Sequence, residues 1–213
     1  YKGMLTGEQL SRFFLDLQDT RFETSVAIVH ERFATNTTSA WRLAQPFDFL
    51  CQNGEINTLK ADVAFMKAME ARMVSQGELE EELRPLVDET LSDSGILNQT
   101  LEMLYFLSPW STPELMKMLI PYAWEKDPTL SDKARALGSY LSQCMIPWDG
   151  PAAVFLFDGR YAGARLDRCG YRPLRYYETP SSLVFASEGN ILGEKPTDVI
   201  RKGRLGPGEM FVW

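Results

Sequence analysis

Histidine is almost absent from this chain of 213 residues: His30 stands alone, which rules out a histidine-rich metal site. Cysteine is scarce as well. Cys51, Cys144 and Cys169 are odd in number and widely spaced, with no Cys-x-x-Cys pair, so neither a disulfide framework nor a structural zinc is expected. No cysteine cluster suits an iron–sulfur centre, and no glycine-rich phosphate loop follows a strand-like run. No apolar run approaches membrane-spanning length and no signal peptide is visible. No membrane partner is expected, and a reducing, aqueous compartment follows, most simply the cytoplasm. Cations are outnumbered by acids, 22 to 29, for a formal charge of −7. That balance argues against nucleic acid as a partner, because such a face needs clustered Lys and Arg to release counterions. Basic residues gather only in "RCGYRPLRYY" and "RKGRLG", where a local structural role is expected.

What is present is apolar bulk. With 45% hydrophobic residues and five Trp, the chain can bury a sizeable core, and one domain over residues 1–213 is the economical reading. It opens at Tyr1 without an initiator Met, as a segment cut from a longer polypeptide would. "LTGEQLSRFFLDL" has helical spacing, and "TSVAIVHERF" reads as a buried strand. "PFDFLCQ" reads as a second strand, ending at Asn53-Gly54. A helix follows from Asn57 or Thr58, with Leu59, Val63, Met66 and Met73 on one face. After a charged, irregular connection come three helices, in "SDSGILNQTLEMLYFL", "STPELMKMLIPYAW" with Thr112 as cap, and "LSDKARALGSYLSQCM". "AAVFLFDGRYAGARLD" is a hairpin about an Asp-Gly turn; "LRYYET" and "SLVFASE" form another, and "GEMFVW" is a last strand. Strands early and late with helices between them define an α+β chain with largely antiparallel pairing.

Several residues draw functional interest, each beside a plainer alternative. Asn53-Gly54 is a tight turn, or a corner where a side-chain amide and a main-chain N–H point at one negative oxygen. Arg32 pairs at the surface with Glu31 or Glu55, or grips a substrate carboxylate. Asp93, between Ser92 and Ser94, caps or charges a helix start, or holds a substrate ammonium. Cys51 and His30 make a nucleophile–base candidate near the corner, although a small apolar residue is what the strand wants at Cys51. Cys144 reads as helix packing. Cys169 sits beside positive charge but in what reads as a tight turn.

Taken in order, several segments resemble the glutaminase domain of glutamate synthases, class II glutamine amidotransferases of the N-terminal-nucleophile hydrolase superfamily. They are "YKGML", "HERFATNT", "AQPFDFLCQNGEINTLKADVAFMKA", "SDSGILNQTLE", "MLIPYAWEKDP", "MIPWDGPAAV", "GARLDRCGYRPLRYY", "ASEGN" and "RKGRLGPGEMF". "NGEINTL" together with "DR-G-RP-RYY" points to glutamate synthases rather than to amidotransferases of nucleotide or amino-sugar synthesis. The resemblance implies a four-layer αββα sandwich, of which residues 1–213 would be the C-terminal portion, without the first strands. It implies that Arg32 binds the α-carboxylate of glutamine and Asp93 its α-ammonium. Asn53, through its side chain, and Gly54, through its N–H, would form the oxyanion hole. The family attacks with an N-terminal cysteine lying upstream of "YKGML". This chain would hold no nucleophile and would not hydrolyse glutamine alone.

In the intact enzyme, ammonia would pass to a synthase site on the same polypeptide or complex, where 2-oxoglutarate is converted to glutamate. That site uses FMN, an iron–sulfur cluster and electrons from NADPH or ferredoxin, all outside this segment. A plastid location would follow for a photosynthetic eukaryote. The alternative is a non-catalytic module that senses glutamine or docks on a partner. Three departures from the family pattern bear on fine positioning: Gln52 where a His commonly precedes Asn-Gly, Leu97 for an aromatic, and Cys169 for an Asn.

Overall fold

The computed structural model describes residues 1–33, 37–189, 191–193 and 195–213. Along them, helix α1 (Gly7–Phe13) precedes strand β1 (Leu50–Gly54), and the helices α2 (Leu59–Ser75), α3 (Asp93–Leu107), α4 (Thr112–Leu119) and α5 (Asp132–Cys144) follow. Strands β2 (Ala152–Phe157), β3 (Ala162–Leu166), β4 (Arg175–Glu178), β5 (Leu183–Ala186), β6 (Arg201–Arg204) and β7 (Met210–Val212) complete the chain. Every ladder is antiparallel. One sheet runs β1-β2-β3-β7 and the other β5-β4-β6.

Alternation along β2 decides what each face of the first sheet meets. Ala152, Val154 and Leu156 join Leu50 against the helices, packing with Leu97 and Leu101 of α3, Leu115 and Leu119 of α4, and Leu141 of α5. Ala153 and Phe155 point the other way. They meet Ala164, Leu166, Leu174 and Leu205, with Phe185 of β5 on the facing sheet. Phe185 and Phe211 close this second core, their ring centroids 4.7 Å apart. Helices, sheet and second sheet thus form three stacked layers, as period-two strands buried on both faces require. α1 buries no residue, so the second helix layer of a four-layer sandwich is not seen among the described residues.

Local chemistry explains most of the boundaries. Ser92 accepts the Gly95 N–H at 3.2 Å and starts α3. At α4 the cap is Ser111 rather than Thr112. Glu114 lies three residues on and closes a capping box, accepting the Ser111 N–H at 2.8 Å. Thr112 is instead buried and hydrogen-bonded to Asp158. The expected strand over 24–33 joins no ladder, and the chain bends at Ser25, Glu31 and Phe33. Its β-branched residues favour a strand, yet Val29 is 78% exposed, and no neighbouring strand runs alongside among the described residues. β6 lies in "RKGRLG", where a local structural role is expected but no strand. It is an edge strand, and Arg201 pairs with Glu178 directly across the ladder at 3.1 Å.

α3 holds β1 at both ends. The Asn98 side-chain oxygen accepts the Phe49 and Leu50 N–H groups at 3.0 and 3.2 Å, and Asp93 accepts the Ile56 N–H at 2.7 Å. The start of α2 is tied down by Thr58, whose hydroxyl accepts the Asp149 N–H at 2.9 Å and donates to Asp62 at 2.7 Å. Burial pushes the Asp62 carboxyl up to about 6; Thr58 opposes the shift and the nearby Asp149 adds to it.

A carboxyl whose folded value lies above its unfolded one stabilises most at low pH, and that contribution is lost as pH rises through the folded value. From roughly pH 4 to pH 6 the native state keeps a proton that the unfolded chain releases, so stability falls across this window. Asp62→Asn should flatten that decline. Urea midpoints measured between pH 4 and 7 are expected to converge at the acid end and to separate, with the variant higher, toward neutrality; parallel curves would show that Asp62 ionises freely.

Candidate functional site

A cleft of about 1190 Å³ is walled by residues 25–32, the end of β1 and the β5 region. It is where most of the chemistry-bearing residues meet. Arg32, Asn53 and Gly54 all line it. Asp93 is not among its lining residues. It is the first residue of α3, half-buried, with its carboxylate accepting the Ile56 and Ser94 N–H groups, both at 2.7 Å. It therefore acts as a first-turn acid that fixes the exit of β1, two residues beyond Gly54.

Asn53-Gly54 is no hairpin turn. The two residues end β1, opposite Ala153 and Ala152 of β2. Gly54 has φ +138°, and a Cβ built there would stand 1.7 Å from the Pro151 carbonyl oxygen. Only glycine allows the two main chains this close. Glu55 then donates its N–H to the same oxygen at 3.1 Å.

The Asn53 side chain is held at both ends. Its Oδ1 accepts from Arg172 at 2.7 Å, and its Nδ2 donates to Ser187 Oγ at 2.8 Å. Both partners also line the cleft. Neither was expected from the sequence, where Arg172 sits in a stretch read as structural. Arg172 lies 119 positions from Asn53 and Ser187 lies 134, and spacing carries no sign of either contact.

Arg172 is placed by Asp167. This carboxylate, 2% exposed, accepts N–H groups from Cys169 at 3.2 Å, Tyr171 at 3.0 Å, Arg172 at 3.3 Å and Ala152 at 3.3 Å. One buried acid thereby shapes the 167–172 turn and ties it to the start of β2, the strand beside Asn53.

The cysteines behave as packing. Cys51 is 3% exposed, and burial alone pushes its thiol up to about 12. A thiol so disposed is a poor nucleophile near neutrality. His30 does not assist it. Its ring nitrogens face main-chain oxygens, of Arg32 at 2.7 Å and of Gln52 at 3.2 Å. Cys144 packs at the edge of the helix core, and Cys169 is exposed in the Asp167 turn. Gln52 is fully buried, and its N–H donates to Gln45 Oε1 at 2.6 Å. Leu97, at another departure from the family pattern, is wholly inside the helix-facing core. No group of three or more His, Cys, Asp and Glu placed to hold a metal ion occurs among the described residues. Likewise, no helix among them is long and apolar enough to cross a membrane.

Comparison with known proteins adds a family to this geometry. A model of the family "Glutamine amidotransferases class-II" matches residues 1–213. The large chain of glutamate synthase [NADPH] from Azospirillum brasilense is 45% identical over 215 residues, which cover 100% of this chain and 14% of its own length. Glutamate synthase [NADH] from Schizosaccharomyces pombe is 41% identical, with 100% of this chain and 10% of its own covered. The chloroplastic ferredoxin-dependent glutamate synthase of Oryza sativa subsp. japonica is 43% identical, over 100% and 13% respectively. The chain thus spans between 10% and 14% of the length of these relatives.

The thiol environments predict an order of alkylation. With iodoacetamide at pH 8, Cys169 should be modified in the native protein, while Cys51 should react only after denaturation. Peptide mapping by mass spectrometry reads both sites. Modification of native Cys51 at a rate comparable to Cys169 would contradict its buried, protonated state.

Proposed function

The chain belongs to the class-II glutamine amidotransferases, and from that membership we propose that it is the glutamine-binding, ammonia-releasing part of a glutamate synthase. One observation carries the proposal: Arg32, Asn53 and Gly54, far apart in chemistry and partly in sequence, share one cleft. Glutamine is a zwitterion with a reactive amide at its far end. Arg32 supplies a cation for the α-carboxylate. The Asn53 Nδ2–H and Gly54 N–H supply two donors for the oxygen that becomes negative when the amide carbon is attacked. Asp93 is assigned the α-ammonium. It does not line the cleft as the chain stands, so this assignment rests on the family membership; its two oxygens offer about four acceptor positions, which the Ile56 N–H and the Ser94 N–H and hydroxyl do not exhaust.

The net reaction is hydrolysis of the side-chain amide to glutamate and ammonia. Attack, collapse of the tetrahedral intermediate and departure of ammonia need a nucleophile with an accessible thiolate. Cys51, pushed up to about 12, does not meet that need, and neither Cys144 nor Cys169 lines the cleft. We therefore assign the nucleophile to residues outside 1–213 and expect this stretch alone to hydrolyse no glutamine. Such a stretch completes its fold, an N-terminal-nucleophile type αββα sandwich, together with that missing part. The ammonia would serve amination of 2-oxoglutarate in a separate region of the whole enzyme. FMN, an iron–sulfur cluster and an electron donor, NADPH, NADH or ferredoxin, belong to that region and not to these residues.

Replacing Arg32 tests the assignment in the full-length protein. Arg32→Ala should raise the KM for glutamine roughly 10- to 100-fold, the loss of a charge-assisted contact worth about 1.5–3 kcal/mol. Synthesis supported by added ammonia should be nearly unchanged. An equal loss of both activities would make Arg32 structural. Glutamine binding by the full-length protein without any release of ammonia would instead favour a sensing module.

A further inference from the structure

We propose that Arg172 is a positioning residue for Asn53, setting which end of the amide faces the reacting oxygen. The inference rests on the assignment of Asn53 to the oxyanion corner. A carboxamide is nearly symmetric in shape but opposite in function at its two ends: Oδ1 accepts and Nδ2 donates. An Asn turned by 180° about its last bond would present an acceptor, and thus repulsion, to a developing negative charge. Something must forbid that flip.

The two contacts on Asn53 are unequal in this respect. Ser187, 2.8 Å from Nδ2, has a hydroxyl that donates or accepts, so it satisfies either orientation. Arg172, 2.7 Å from the other end, has a guanidinium with donors only. It can face Oδ1 and cannot face Nδ2. The orientation is therefore decided by Arg172 alone, and Ser187 adapts to it. A cation on Oδ1 also draws electron density from the amide and makes the Nδ2–H groups better donors. One of these goes to Ser187; the other is the donor that the corner requires.

The surroundings keep the guanidinium at this task. Asp167 fixes the main chain at Arg172 through the 3.3 Å contact to its N–H. The Arg172 Nε is shielded from water and has no hydrogen-bond partner among the described residues, and the side chain as a whole is half-buried, so the guanidinium is partly withdrawn from solvent where it meets Asn53.

The experiment compares Arg172→Gln, Arg172→Lys, Asn53→Ala and the double variant Arg172→Gln/Asn53→Ala in the full-length enzyme. Glutamine-dependent and ammonia-dependent glutamate synthesis are measured for each. Gln carries both a donor and an acceptor and satisfies either amide orientation, whereas Lys, like Arg, only donates. Asn53→Ala should lower the glutamine-dependent kcat about 100- to 1000-fold. Arg172→Gln should lower it about 10- to 100-fold with little change in KM, and Arg172→Lys should stay within about fivefold of the parent. The double variant should be no worse than Asn53→Ala, since Arg172 acts only through Asn53. Ammonia-dependent synthesis should be unchanged throughout.

Additive losses in the double variant would overturn the proposal, as would a parallel fall in ammonia-dependent synthesis. A normal kcat in Arg172→Gln beside a crippled Asn53→Ala would overturn it while leaving the corner standing. A normal kcat in Asn53→Ala would remove the corner itself, and the role of Arg172 with it. Should Arg172→Gln not fold, Arg172→Lys decides alone: a retained kcat supports the proposal, and a selective collapse of glutamine-dependent kcat refutes it.

Discussion

The buried carboxylate of Asp167 is the constraint on which the geometry of the cleft depends. A charge taken out of water is tolerated only when its lone pairs are answered, and here four main-chain N–H groups answer them. The consequence is structural precision at a distance. Ala152 belongs to β2 and Arg172 to the turn after β3, so one side chain sets the relation between a central strand and a loop. Because Asn53 pairs with Ala153, next to Ala152, the same acid fixes the separation between Arg172 and the amide it contacts. Asp93 and Asn98 do the corresponding work from the helical side, gripping β1 at its end and its beginning.

Much of the fold was legible because local chemistry and burial agree. The Asp158-Gly159 hairpin, the four helices between β1 and β2, and antiparallel pairing throughout follow from apolar periodicity and turn residues that tertiary structure did not override. The misses have identifiable causes. The run over 24–33 has β-branched residues but no partner edge among the described residues, and a ladder needs both. "RKGR" has partners but no apolar signal, because an edge strand facing water can be built from charged residues whose pairing lies across the ladder. Thr112 lost the cap to Ser111 because a capping box is set by the position of Glu114, three residues on, and not by which hydroxyl stands nearest the proline.

The candidate site was legible only in part, and for a reason that spacing cannot cure. Asn53 and Gly54 announce themselves because both demands, an amide and a residue without a Cβ, fall on adjacent positions. Arg172, Ser187 and Asp167 do not. The contacts of Arg172 and Ser187 with β1 span 119 and 134 positions, and a sequence shows no distance between residues so far apart; Asp167 reaches β2 within its own sheet, 15 positions away. Asp167 could have been suspected from "LDRCGYRP", where an acid opens a turn containing Gly170, since such acids gather the N–H groups that follow them.

The cleft also divides its parts by how firmly they are held. Asn53 and Gly54 end a strand paired on one side and clamped by a helix, and Gly54 lies against the main chain of Pro151. Arg32 is exposed and lies on a segment that joins no ladder. On the proposed reading this difference suits the two tasks. Donors that stabilise a charge appearing only in the transition state must already be in place, because any reorganisation at that moment adds to the barrier. A cation that recognises a ground-state carboxylate can settle as the ligand arrives, and the ordering cost falls on affinity rather than on rate. Placing the oxyanion corner on β1 and the carboxylate grip on the outer wall therefore spends rigidity where the chemistry is sensitive to it.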